Sequence, residues 1–357
     1  MKNFRLSFFV TIICLALAGF WGARNGMGAL PAMLLAALLG VLEVSLSFDN
    51  AVVNASVLKE MDEKWQRIFL TVGILIAVVG MRLLFPLAIV SIATGQGIVA
   101  VAHMALERPD EYSRHLGASH AGISAFGGMF LLLVFFSFLF DARRELHWLG
   151  KIEKKLSQLG KLDSIGVMVA LLALFAIYLW MPLDTGTKLT VLSAGIGGVI
   201  LFIAVSSVDS LFEHKEEGEA AVRTARRSGV VGFLYLEMLD ASFSFDGVLG
   251  AFAVTRDVAL IMLGLAVGAM FVRSLTVLLV RRGTLDEYVF LEHGAHYAIG
   301  SLSALMLAGI AIHIPEAITG LIGVVFIALA LLSSIRYKHR KGGVRLDGSK
   351  AKGGAFP

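Results

Sequence analysis

The chain is poor in cysteine and in charge. A single cysteine, Cys14, excludes an intrachain disulfide and any cysteine-based zinc or iron–sulfur centre. Charged residues make up 16% of the 357, where a soluble domain carries about a quarter. No GxSxG, HExxH, Walker or GxGxxG pattern stands in useful context, and no nucleophile–base pair is visible, so an enzyme is not expected. Nucleic acid is not an expected partner either. The pI near 9.2 comes from basic residues in loops and in the tail, where they orient a chain in a membrane.

What the chain has instead is apolar length. Hydrophobic residues reach 57% and mean hydropathy is +0.81, which describes one polytopic membrane domain with the lipid bilayer as its solvent. Windows of about 19 residues give about ten transmembrane helices, at 5–22, 29–57, 67–93, 119–140, 164–182, 189–211, 229–252, 257–280, 294–313 and 316–335. The first also has the look of a signal peptide, and it is expected to be retained. Lys and Arg number 24 on the side of the N-terminus and 5 on the other, with Arg82 and Arg273 inside spans. That bias places both termini in the cytoplasm of a multi-pass protein. Segment 94–118 reads as an interfacial or re-entrant helix, loop 141–163 as an amphipathic surface helix, and the tail from Arg336 as disordered.

One polar stretch interrupts this pattern. Glu43 to Asn54 (EVSLSFDNAVVN) follows a run, Ala29 to Leu42, without a single charge. An acid at bilayer depth costs roughly 2.5–3.5 kcal/mol on insertion scales, so it marks a site facing the bundle interior. The stretch recurs at Asp240 to Gly250 (DASFSFDGVLG), again with two acids six residues apart. Gly73 precedes Arg82 by nine residues and Gly264 precedes Arg273 by nine; His120 and His296 open the next spans. Spans two to four therefore match spans seven to nine. The units begin an odd number of spans apart, which makes an inverted repeat of three-helix units, an architecture of secondary transporters with a midplane site. The expected division is 1–28 as first helix or signal-like segment, 29–140 as repeat 1, 141–228 as loop and linker helices, 229–313 as repeat 2, and 314–357 as last helix and basic tail.

On a continuous helix Glu43, Ser47, Asn50 and Asn54 share one face, while Asp49 lies about 120° away from Glu43. In the second unit Asp240 shares its face with Glu237 and Ser244, and Asp246 is displaced. Both acids of a unit reach one ion only if the helix unwinds near the second, and Gly247 and Gly250 ease this in unit two. The expected ligands are Glu43, Asp49, Asn50, Asn54, Asp240 and Asp246, supported by Ser47, Arg82, Glu237, Ser244 and Arg273. An all-oxygen set suits Mg, Ca or Mn as transported substrate rather than resident cofactor. Four acids against two arginines leave two negative charges, enough for one divalent ion or two protons. Competing structural roles are interhelical acid–Arg pairing, an interfacial Asp209, and unremarkable span-end histidines at 120, 296 and 313. The glycines of SAGIGG and AFGG read as close-packing surfaces.

These residues resemble the TerC family of integral membrane proteins, within the LysE-like transporter superfamily, and the DUF475-type relatives most of all. The likeness rests on Glu43, Leu46, Ser47, Asp49 and Asn50, on Gln66, Arg67, Gly80, Met81 and Arg82, and on Asp240, Phe245, Asp246 and AVTRD from Ala253 to Asp257. Val272–Leu275 and His313–Pro315 extend it. Gly247-Val248-Leu249 stands where that family has Ser-Ile-Pro. The resemblance implies export of a metal ion, manganese in particular, from a bacterial inner membrane with the paired acids as ligands. Proton exchange on the same carboxylates is the expected coupling. The rivals are an exporter of amino-acid-like solutes, which requires an apolar cavity beside the charges, and a membrane scaffold or insertion partner working through loop 141–163 or the tail.

Overall fold

The computed structural model describes residues 4–59, 61–73, 75–160, 162, 164–213, 229–312 and 314–350, and these contain helices and no strand. In chain order they form α1 (Arg5–Arg24), α2 (Ala29–Leu46), α3 (Phe48–Lys59) and α4 (Glu63–Ile68). Two π-helical segments follow, Phe69–Gly73 and Ile76–Leu84, then α5 (Phe85–Thr94), α6 (Ile98–Glu107), α7 (Pro109–Ala118) and α8 (His120–Leu139). The rest are α9 (Lys151–Leu159), α10 (Ile165–Trp180), α11 (Thr185–Glu213), α12 (Gly229–Val254), α13 (Val258–Arg282), α14 (Thr284–Glu287), α15 (Leu291–Gly309) and α16 (Glu316–Lys350).

Every expected apolar span coincides with helix, but fewer qualify as crossings. Among the described residues six helices are long and apolar enough, and a seventh counts if Glu63–Gly73 and Val78–Thr94, bent by 45°, are one broken span. The difference from ten lies in helices such as α10, only 16 residues long, and in α12 and α15, which carry polar residues, Glu237 and Asp240 on the one and Glu292, His293 and His296 on the other.

Lipid-facing and packed sides separate clearly. On α2, Leu30, Leu34, Leu38 and Val41 form an exposed stripe, whereas Ala32, Ala36, Leu39, Gly40 and Glu43 are buried. An exposed leucine stripe is unfavourable in water and natural in hydrocarbon. The buried face of α2 packs on α13 at very small residues. A Cβ on Gly264 would stand 2.9 Å from the Ala36 carbonyl oxygen, and one on Gly268 would stand 2.9 Å from that of Gly40. Only glycine permits this approach, the small-xxx-small mode of membrane helices. Gly198 against Phe126 and Gly128 against Leu307 repeat the device in α11–α8 and α8–α15 packing. Helix α1 is tied to α13 near both ends: Ser7 Oγ donates to the Met270 carbonyl (2.7 Å), and Trp21 Nε1 donates to Asp257 Oδ2 (2.9 Å).

The contacts between the units are cross-paired. Helix α2 packs on α13, the 76–84 segment on α12, α3 on α15, α12 on α8, and α8 on α15.

Three local expectations need correction. The helix does break in unit one, at Ser47 between α2 and α3, but α12 runs unbroken through Asp240 and Gly247 in unit two. With Leu249 in place of a proline, nothing removes an amide donor there. Loop 141–163 is helical only over α9; before it the chain turns around Glu153, whose carboxylate pairs with Arg144 and accepts from the Leu149 amide (3.0 Å). The tail expected to be disordered is helical to Lys350, as a continuation of α16. Segment 94–118 folds as α6 and α7, two ten-residue helices.

Candidate functional site

The break at Ser47 sits four residues past Glu43, and around it the polar side chains of the two acidic stretches meet. Glu43 is 1% exposed and forms an ion pair with Arg82 from the second π-helical segment. Ser47 Oγ donates to Glu43 Oε1 at 3.2 Å. Glycines make the room. A Cβ at Gly247 would lie 2.8 Å from Glu43 Oε2, and one at Gly268 would overlap the Glu43 side chain. Arg82 thus reaches its partner from a helix wound more loosely than an α-helix, a geometry frequent at functional sites and without a signal in the composition.

Across from this pair, Asn54 Nδ2 on α3 donates to Asp240 Oδ1 on α12 at 2.8 Å, a direct bridge between the two signatures. Ser47, Asn50, Asn54, Arg82, Asp240, Ser244 and Arg273 all line one cavity of ≈ 40 Å³. That is room for a water or a single ion. Glu237, one helical turn before Asp240, is buried at the Gly73 edge of the same cavity; a Cβ on Gly73 would lie 2.9 Å from its Oε1. Neither Glu237 oxygen has a hydrogen-bond partner among the described residues, and the same holds for Asn54 Oδ1 and Ser244 Oγ. Buried polar groups are nearly always satisfied, so four such atoms about one small cavity mark a place shaped for something polar.

The expected set is therefore split. Glu43, Asn54, Asp240, Ser244, Arg82 and Arg273 converge, with Glu237 beside them, while Asp49 does not join them. It lines a second cavity of ≈ 30 Å³ with Leu46, Thr319 and Gly320, on the other side of the break. The break at Ser47 does not bring Asp49, offset by about 120° on a continuous helix, round to Glu43. The side chains of Asp209 and Asp246, and His313, lie outside what the structure describes. Among the described residues no group of three or more His, Cys, Asp or Glu is arranged to hold a metal ion. The histidines have local roles: His120 Nε2 pairs with Ser124 Oγ (3.2 Å), and His296 stacks on Phe138 with ring centroids 3.9 Å apart. Sequence reasoning missed Thr276 of α13, buried on the first cavity, and Thr319, Gly320 and Gly323 of α16. These had no signal, because none of the four lies in either of the two acidic stretches.

A third cavity is large and apolar, ≈ 470 Å³ between α1, α5, α6 and the ends of α12 and α13, and it shares Val78 and Arg82 with the first. Neither a curated protein nor a solved structure matches the chain. One family model does, that of a protein of unknown function named DUF475; it matches residues 48–341, most of the length, and the chain belongs to the DUF475 family.

Proposed function

We propose that this membrane protein is a secondary transporter that exports a divalent metal cation, with Mn²⁺ as the leading candidate, from the cavity between Glu43, Glu237 and Asp240. The observation that carries the reading is that cavity: ion-sized, between the two signatures, and edged by unpartnered carboxylate, amide and hydroxyl oxygens. Oxygen donors of this kind suit hard cations. Arg82 and Arg273 would hold the acids in the cation-free state and yield when an ion enters. The cross-paired packing of the two units supports an inverted repeat rocking about the site, and the resemblance to TerC-type proteins supports the metal. Exchange for protons supplies the energy in this reading.

One observation favours a second reading. The apolar cavity beside Arg82 is what an amino-acid-like solute would need for its side chain. The polar cavity at ≈ 40 Å³ is too small for the solute's charged end as it stands, so the ion comes first. Proteoliposomes holding the full chain decide between them. Mn²⁺ entry that is lost in Asp240→Asn is expected. Flux of amino acids without flux of Mn²⁺, Mg²⁺ or Ca²⁺ would transfer the assignment to the second reading.

A further inference from the structure

The cavity around Asp49 is not a lobe of the first one. Ser47 and Asn50 line both, so the break between α2 and α3 forms the partition. Asp49 is 6% exposed, and its one hydrogen bond among the described residues comes from the Asn50 amide N–H at 3.1 Å. Its Oδ2 faces α16, where a Cβ on Gly323 would collide with it. The Asn50 side-chain amide, also buried, enters no hydrogen bond among the described residues. A buried carboxylate and a buried amide thus face a space of ≈ 30 Å³ with the Thr319 and Ser47 side chains on its wall.

The two cavities differ in charge. The first is lined by Asp240 with Arg82 and Arg273, and two more carboxylates stand behind its wall, Glu43 on Arg82 and Glu237 on Gly73; the second has one carboxylate among neutral groups. A single carboxylate with hydroxyl and amide oxygens balances one positive charge, and the C-terminal end of α2 at Leu46 adds a dipole of the same sense. Taken with Arg82 and Arg273, the acids of both cavities leave two formal negative charges. A divalent ion in the first cavity takes up both. A monovalent ion beside it would then be in excess, in a medium of low dielectric where excess charge is costly.

We propose that the Asp49 cavity binds one Na⁺, which competes through Ser47 and Asn50 with the divalent ion of the first cavity and is exchanged for it, in place of protons. The competition rests on the transport reading above; the site itself does not. Coupling is thereby moved off the substrate carboxylates and onto Asp49 and α16.

The test uses the full chain in detergent, with radioactive sodium, MnCl₂ and a pH indicator as probes. Wild type is expected to release one Na⁺ per chain when Mn²⁺ is added, and release of a proton with no Na⁺ would overturn the proposal. Asp49→Asn abolishes that release and retains Mn²⁺ binding. Gly323→Ala, which keeps the carboxylate and displaces it, weakens the monovalent ion by about tenfold or more, the size of a supporting-residue effect on a metal site. Asp240→Asn does the reverse, losing Mn²⁺ and keeping the monovalent ion. Loss of Mn²⁺ binding in Asp49→Asn equal to that in Asp240→Asn would overturn the proposal, as would the absence of any Asp49-dependent Na⁺. If Na⁺ binds through Asp49 and Mn²⁺ binds nowhere, the divalent reading fails and the site stands.

Discussion

Glu153 and Glu237 are both carboxylates shut away from solvent, and their surroundings are opposite. Glu153, at 0% exposure, has both oxygens occupied: Arg144 and His293 (3.4 Å) at Oε1, and the Leu149 amide at Oε2. Arg144 in turn lies 3.5 Å over the Phe138 ring. This cluster fastens the 141–160 loop to α8 and α15. Glu237 is nearly as buried and has neither oxygen bonded among the described residues. Satisfied charge is structure; unsatisfied charge beside a cavity is a site. Burial alone does not tell them apart.

Substitutions can break or sharpen that contrast. The largest effect on stability is expected for Glu153→Ala, about 2–3 kcal/mol, because it strands Arg144 and the Leu149 amide; the loss is below that of a fully buried pair since Arg144 keeps 15% exposure. Chemical denaturation in micelles measures it, and Mn²⁺ binding per folded molecule should be unchanged. Next comes Gly268→Ala, at about 1–3 kcal/mol, the range for overpacking. Here the added methyl strikes Glu43, so binding should fall along with stability. Glu237→Gln is expected to move stability by under about 0.5 kcal/mol while weakening Mn²⁺ by about tenfold or more, in calorimetric titration. If it unfolds the protein as Glu153→Ala does, the contrast is wrong. Ser244→Ala is the smallest, stability-neutral, with a modest loss of affinity that follows from one neutral oxygen.

Legibility followed the same division. The buried acids were visible because an acid in an apolar run has few structural excuses, and repetition at Asp240 removed most of the rest. Glu237 was legible as a supporting residue on the face of Asp240, and only the structure shows that its oxygens have no hydrogen-bond partner among the described residues. Loop 141–163 showed its amphipathic period over α9, but its real anchor is one buried acid of that helix meeting an arginine nine residues earlier. Six or seven helices among the described residues have the length and hydropathy of crossings and ten apolar runs coincide with helix, because apolar length alone does not distinguish a crossing from a short helix such as α10 or a polar-faced one such as α15.

The sequence by itself determined an all-helical membrane protein, its two matched signatures and most of the side chains that meet at the centre, since hydropathy and residue spacing act locally along the chain. Tertiary structure alone decided that α2 breaks at Ser47 while α12 does not, that Arg82 stands on a π-helical turn, and that Asp49 faces α16 instead of Glu43. Those outcomes depend on which helix lies across from which, and on glycines at 247, 268 and 323 whose purpose is a neighbour far away in the chain.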